Sequence, residues 1–202
     1  MPRVAGQIDL SKNEAILDAA VDVLAERGVS APMEEIARRA CVSKQTIYNH
    51  YGSKAELVRA VAARRVHEIT APLEAPEAME HPAEALAAFA REMLGALTRP
   101  RAAAFMRMAM LSAADMPEVA QAWYEAGPRA SRRKLADFLR METDAGRLDI
   151  ADPLEAAEFF AGMAIGSYQT AALLGVVRPL SEARIEAIAA EAAARFMRAY
   201  AV

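Results

Sequence analysis

Met33, Ile36, Ala37 and Ala40 stand three and four residues apart, the spacing that gives one side of an α-helix to a core. Cys41 and Val42 interrupt the period, and Ser43 follows with a side-chain oxygen suited to an N-cap. Ile47 and Tyr51, four apart, supply the inward side of a second short helix. Lys44, Gln45, Thr46, Tyr48 and Asn49 are left pointing outward. The pattern predicts two short helices joined by a tight turn, the second with a polar outer side.

Upstream, Ile16, Ala20, Val23 and Leu24 predict a helix ending at Gly28, and Ser11 with Glu14 has capping-box spacing at its start. Ser53 and Glu56 repeat that spacing and open a fourth helix through Leu57, Val58 and Val61 to about Thr70. Pro72, Glu74, Pro76, Glu77 and Glu80 form a polar connector. Beyond it, helices are predicted over 82–98, 101–114 and 117–145, the last kinked or briefly broken at Gly127-Pro128. Asp152-Pro153 starts another helix, Gly175 to Pro179 form a turn, and Ser181 caps a last helix to about Ala199. Residues 1–10 lack a period, so Arg3 reads as part of a frayed end rather than as a DNA-reaching arm. The expectation is an all-α chain of about nine helices, with one domain over 9–60 and a second over 61–202.

A chain of 202 residues with 54% hydrophobic content can bury a sizeable core and is no disordered tail. Abundant Ala, Leu, Glu and Arg agree with helices. The single cysteine excludes an internal disulfide, and no charged-then-apolar leader opens the chain, so a cytoplasmic location is expected. Phe159–Val177 carries no formal charge over nineteen residues, long enough to span a membrane. Ser167, Tyr168, Gln169 and Thr170 near its centre argue instead for a helix buried against another subunit, with no membrane span.

The net charge of −3 opposes indiscriminate binding to nucleic acid, but its distribution is uneven. Residues 9–35 hold seven acids and two bases, whereas 38–65 hold seven bases against Glu56 alone. A local basic stripe beside the two-helix motif is what phosphate binding requires. On the second motif helix, Gln45 and Asn49 can bond adenine, Lys44 can reach guanine acceptors, and the Thr46 methyl can touch thymine. This matches a helix-turn-helix whose second helix enters the major groove of double-stranded DNA.

With Ile16 to Ala20, Gly28, Ile36-Ala37, Val42-Ser43, Ile47-Tyr48, His50-Tyr51 and Ser53 to Leu57, roughly residues 10 to 62 resemble a TetR-type transcriptional regulator. Two departures are Cys41, where such proteins usually carry glycine, and Ala31-Pro32, where a hydroxylated pair is usual. Either the Cys41 turn has moved to negative φ or a small, buried cysteine tolerates strain. Asp115 to Glu118, Tyr124 to Pro128, Gly146 to Leu148, Asp152-Pro153 and Leu174-Gly175 resemble the C-terminal domain of AefR-like and AcrR-like members.

The resemblance implies DNA contacts from Ser43, Lys44, Gln45, Thr46, Tyr48, Asn49, His50 and Lys54, with His50 on phosphate. It implies a homodimer formed by the last two helices, with Gly162, Gly166 and Thr170 at the interface. Gly162 and Gly166 are small residues four apart, which also lets helices approach closely within one subunit. Phe89, Met93, Phe105, Met108, Trp123, Tyr124 and Phe159 belong to a methionine and aromatic stripe. That stripe reads either as ordinary core or as the lining of an apolar pocket. Arg129, Arg132, Arg133 and Lys134 read as a solvated helix face. One cysteine and isolated His50, His67 and His81 give no metal pattern, and no nucleophile or phosphate-loop motif occurs, so neither enzyme nor cofactor is expected. The functional expectation is a repressor released from a palindromic operator by a small apolar or aromatic effector. The rival expectation is a helical small-molecule carrier with a vestigial DNA head.

Overall fold

The computed structural model describes residues 10–176 and 180–202. Arg3, and residues 177–179 of the turn expected over Gly175 to Pro179, lie outside the described residues. The helices are α1 (Leu10–Arg27), α2 (Met33–Arg39), α3 (Lys44–Tyr51), α4 (Lys54–Thr70), α5 (Pro82–Thr98) and α6 (Pro100–Asp115). They continue as α7 (Pro117–Tyr124), α8 (Ala130–Asp144), α9 (Pro153–Ile165), α10 (Tyr168–Leu173) and α11 (Glu182–Tyr200).

The chain divides into two compact units that interleave in sequence. One holds residues up to Arg64 together with Ala104–Gly127, and the other holds Arg65–Ala103 together with Pro128–Val202. The division differs from a cut at residue 60 because α6 and α7 lend their apolar side to the first unit. Phe105, Met108, Ala109 and Val119 join Ile16, Val23 and Leu24 of α1, Ile36 of α2, Ile47 of α3 and Leu57 of α4 in one buried cluster. The four N-terminal helices, two long and two short, form a small core by themselves, and α6–α7 enlarge it.

In the second unit α5 lies along α11 while α9 packs against both and against α8. Its core is an aromatic ladder. The rings of Phe89 and Phe160 have centroids 6.1 Å apart, Phe160 meets Phe196 edge-on at 5.3 Å, and Phe196 meets Tyr200 at 4.7 Å. The inward side of α9 runs through Ala156, Ala157, Phe160, Ala161 and Ala164, so of the adjacent phenylalanines Phe160 is buried and Phe159 faces out.

Several predicted stops and starts appear as local chemistry. Asp152 accepts from the amides of Leu154 and Glu155, and Ser181 accepts from that of Arg184. Gly146, at φ 71°, ends α8, with Arg147 N–H donating back to Glu142 C=O at 3.0 Å. The buried Glu142 carboxylate then receives Arg147 in a two-pronged pair, Nε at 2.6 Å and Nη2 at 2.8 Å. α1 begins at Leu10, one residue before Ser11.

The break expected at Gly127-Pro128 takes the form of a π-helical turn over Glu125–Arg129, because Pro128 has no N–H to continue the α ladder. The uncharged stretch is not one helix. Gly166, at φ 49°, terminates α9, and α10 starts two residues later. Among the described residues no helix is long and apolar enough to cross a membrane.

Candidate nucleic-acid interface

α2 and α3 are held on the first unit by Ile36, Ala37, Ile47 and Tyr51. The Tyr51 hydroxyl donates to Asn13 Oδ1 of α1 at 2.5 Å, which fixes α3 against α1. Burial, reinforced by the Glu14 carboxylate, pushes the Tyr51 phenol up to about 12, so it stays a neutral donor. At the other end of α3, Ser43 Oγ accepts from Thr46 N–H at 3.0 Å and lies 2.8 Å from Thr46 Oγ1.

Between these anchors the predicted outer side is displayed. Lys44, Gln45, Tyr48, Asn49 and His50 are exposed, while Thr46 is half-buried beside the cap. Gln45 Nε2 donates to Asn49 Oδ1 at 2.5 Å, which aligns the two amides one helical turn apart. His50 stacks edge-on against Tyr51, centroids 4.6 Å apart. Lys44 Nζ sits 5.5 Å from the Tyr48 ring centre and pairs with Glu34 of α2. That pairing, chiefly its hydrogen bond, holds Glu34 below the usual carboxylate range and Lys44 above the usual amine range.

Lys54, expected among the DNA contacts, is half-buried and donates to the Val29 carbonyl between α1 and α2, and burial lowers its pKa. The basic stripe is likewise engaged. Arg38 pairs with Glu35 at 2.9 Å, Arg39 with Glu26 at 2.8 Å, and Arg64 with Glu14 at 2.7 Å and Asp18 at 2.9 Å. The acidic block at 9–35 and the basic block at 38–65 fold onto each other, a complementarity that counting charges along the chain does not register. These exposed pairs add little stability, but they set what a phosphate must compete with.

Cys41 is exposed rather than buried, and its φ is 54°. The turn is a Schellman motif: Val42 N–H donates to Ala37 C=O at 3.0 Å and Cys41 N–H to Arg38 C=O at 3.3 Å. A left-handed cysteine carries roughly 1–2 kcal/mol of strain that glycine lacks, against up to about 1 kcal/mol of extra chain entropy for glycine. Cys41→Gly should therefore raise the unfolding free energy by up to about 1 kcal/mol, seen as a slightly higher urea midpoint, with α3 intact. A lower midpoint would show that the thiol makes a compensating contact.

The candidate pocket residues are dispersed. Phe89 and Met93 lie in the core of the second unit. Phe105 and Met108 are buried in the core of the first, with Trp123 packed against it. Tyr124 and Phe159, at 52% and 57% exposure, stand on the surface because they fall on the outer sides of α7 and α9. None of the seven lines a cleft of about 650 Å³ between the end of α5 and the start of α11, bounded by Arg91, Thr98, Leu180, Ile185 and Glu186. Gly162 and Thr170 are exposed, and Gly166 is a helix terminus rather than a second small position on one helical face. Leu154 and Met163 join Phe159 as exposed apolar side chains of α9, and Ala183, Ala187, Ala190 and Ala194 are exposed along α11.

The family model described as "Bacterial regulatory proteins, tetR family" matches residues 16–61, and "AefR-like transcriptional repressor, C-terminal domain" matches 84–202. The HTH-type transcriptional regulator SrpR of Pseudomonas putida is 40% identical over 57 residues, 28% of this chain and 27% of that protein. The chain thus aligns with about a quarter of the length of that relative. Among solved structures, a protein from Mesorhizobium loti named as a TetR-family transcriptional regulator superimposes with a TM-score of 0.76 at 26% identity, covering 96% of this chain and 100% of its own. The flavonoid-responsive regulator FrrA superimposes with a TM-score of 0.71 at 31% identity, covering 94% and 97%.

Proposed function

This chain belongs to the tetR family of bacterial regulatory proteins, and from that premise we propose a dimeric repressor that reads a palindromic operator and releases it on binding a small apolar or aromatic effector. The observation that carries the DNA reading is α3, with Ile47 and Tyr51 buried and Lys44, Gln45, Tyr48 and Asn49 displayed. In a two-fold dimer the two α3 helices enter successive major grooves roughly 34–36 Å apart. His50 borders the same surface and suits a phosphate.

We place dimerisation on the outer sides of α9 and α11: Phe159 and Met163, four apart, are exposed on α9, and Ala183, Ala187, Ala190 and Ala194 are exposed on α11. Small residues at spacings of four, three and four allow a second helix to approach closely. The proposed effector class draws on the flavonoid response for which FrrA is named, and on the eleven methionines, whose flexible side chains adapt to apolar ligands. Within the second unit, Phe89 and Met93 are the candidate residues that share one core. Effector binding acts by favouring one of two conformations, limited by its differential affinity for them.

Selecting genomic fragments with the purified protein supplies the operator. On it, Gln45→Ala should cost about 1–3 kcal/mol and relax base preference at one position in each half-site, because both the Gln45 amide and its alignment of Asn49 are lost. Anisotropy titration checks this, and an unchanged affinity removes α3 from base readout. Adding flavonoids to the same titration tests effector release.

A further inference from the structure

Lys44 opens the helix assigned to DNA readout, yet its ammonium is already occupied. Its Nζ pairs with the Glu34 carboxylate, which reaches across from the first turn of α2. The two side chains are 56% and 51% exposed, so the pair is open to a competing anion. The neighbouring acids are committed elsewhere: Glu35 holds Arg27 and Arg38, and Glu26 holds Arg39. Among these pairs, the one between Glu34 and Lys44 places an acid on the displayed side of α3.

Affinity for random DNA comes almost wholly from basic groups that neutralise phosphates and release counterions. A lysine already neutralised by a carboxylate releases none unless the pair breaks, and while paired it carries a negative group toward the phosphates. On random DNA nothing offsets breaking the pair. On an operator, base contacts from Gln45 and Asn49 dock α3 in one register and bring Lys44 against an acceptor that replaces Glu34.

We infer that Glu34 is a specificity-determining residue: it withholds Lys44 from random DNA and yields it to the operator. The inference rests on the assignment of α3 to DNA readout, and deepens it. Glu34 is a positioning residue acting through Lys44, so its effect must vanish when Lys44 is absent.

The test uses the full-length wild type, Glu34→Gln, Lys44→Ala and the double variant, titrated with a scrambled duplex and with the selected operator. Glu34→Gln should tighten binding to the scrambled duplex about three- to tenfold near 50 mM salt and steepen the log–log salt slope by about one. The operator should gain less, so the ratio of the two affinities falls. In the Lys44→Ala background the same substitution should change neither. A readout without DNA accompanies it: acetylation of Lys44, followed by mass spectrometry, should be faster in Glu34→Gln.

Equal labelling rates would overturn the pairing, and faster labelling with unchanged random binding would overturn the gate. A gain that persists in Lys44→Ala would assign the effect to general repulsion and overturn it too. Failure of the DNA reading has a different signature. The wild type would then show no operator preference, while Glu34→Gln still gained on both duplexes.

Discussion

Phe160→Ala should cost about 3–5 kcal/mol of unfolding free energy, the range for emptying a buried phenylalanine site. Phe160 is fully buried and is the middle rung of the ladder, touching Phe89 of α5 on one side and Phe196 of α11 on the other. Its removal leaves a void that three helices must close at once, and each aromatic pair adds roughly 0.5–1.5 kcal/mol beyond the area it buries. Urea unfolding followed by circular dichroism should show a lower midpoint with the slope unchanged, since the surface exposed on unfolding stays the same. A loss below about 1 kcal/mol would mean that the core collapses into the space, and that the ladder does not hold α5, α9 and α11 together.

The helix-turn-helix was legible because every cue in it is local. The spacing of Met33, Ile36, Ala37 and Ala40, the Ser43 cap and the four-residue step from Ile47 to Tyr51 lie within one short stretch, and the structure repeats them. The second unit was harder to read because alanine carries much of its pattern. Ala156, Ala157, Ala161 and Ala164 are buried on α9, while Ala183, Ala187, Ala190 and Ala194 are exposed on α11. An alanine-rich helix has no marked polar side, so Phe159 and Phe160 were indistinguishable by period, and Phe159 was the wrong one to aim inward.

The division into units was hidden for a different reason. A polar connector after Thr70 looks like a boundary, and no local signal says that α6 and α7 return to the first core. Phe105, Met108 and Trp123 were therefore grouped with Phe89 and Met93 on composition alone, and the structure separates them. Long-range charge matching was equally invisible. Arg64 reaches Glu14 and Asp18 across some fifty residues of chain, and Glu34 meets Lys44 across a turn that a linear charge count treats as a boundary between blocks. Cys41 was legible in part: the departure at a glycine position left negative φ or a strained, buried cysteine open, and the structure has the left-handed φ of 54° with the side chain exposed.

On the proposed dimer, Phe159→Glu combined with Met163→Glu should give a monomer without unfolding the chain. Both side chains stand exposed on α9, at 57% and 41%, so neither substitution empties a core site. In an assembled dimer the same positions would meet a partner helix, and each new carboxylate would be desolvated without a counter-charge. Dimer dissociation should weaken by at least about a hundredfold, and operator affinity should fall with it, because one α3 contacts only one half-site. This pair of positions is a cleaner probe than Gly162 and Gly166. Although a Cβ at Gly166 would meet no atom within 4 Å, its φ of 49° strains any other residue, so a destabilised variant there would report backbone conformation rather than assembly. Light scattering at micromolar protein, circular dichroism and operator titration separate the outcomes. A double variant that remains dimeric and binds the operator as tightly as wild type would place the subunit interface elsewhere on the molecule.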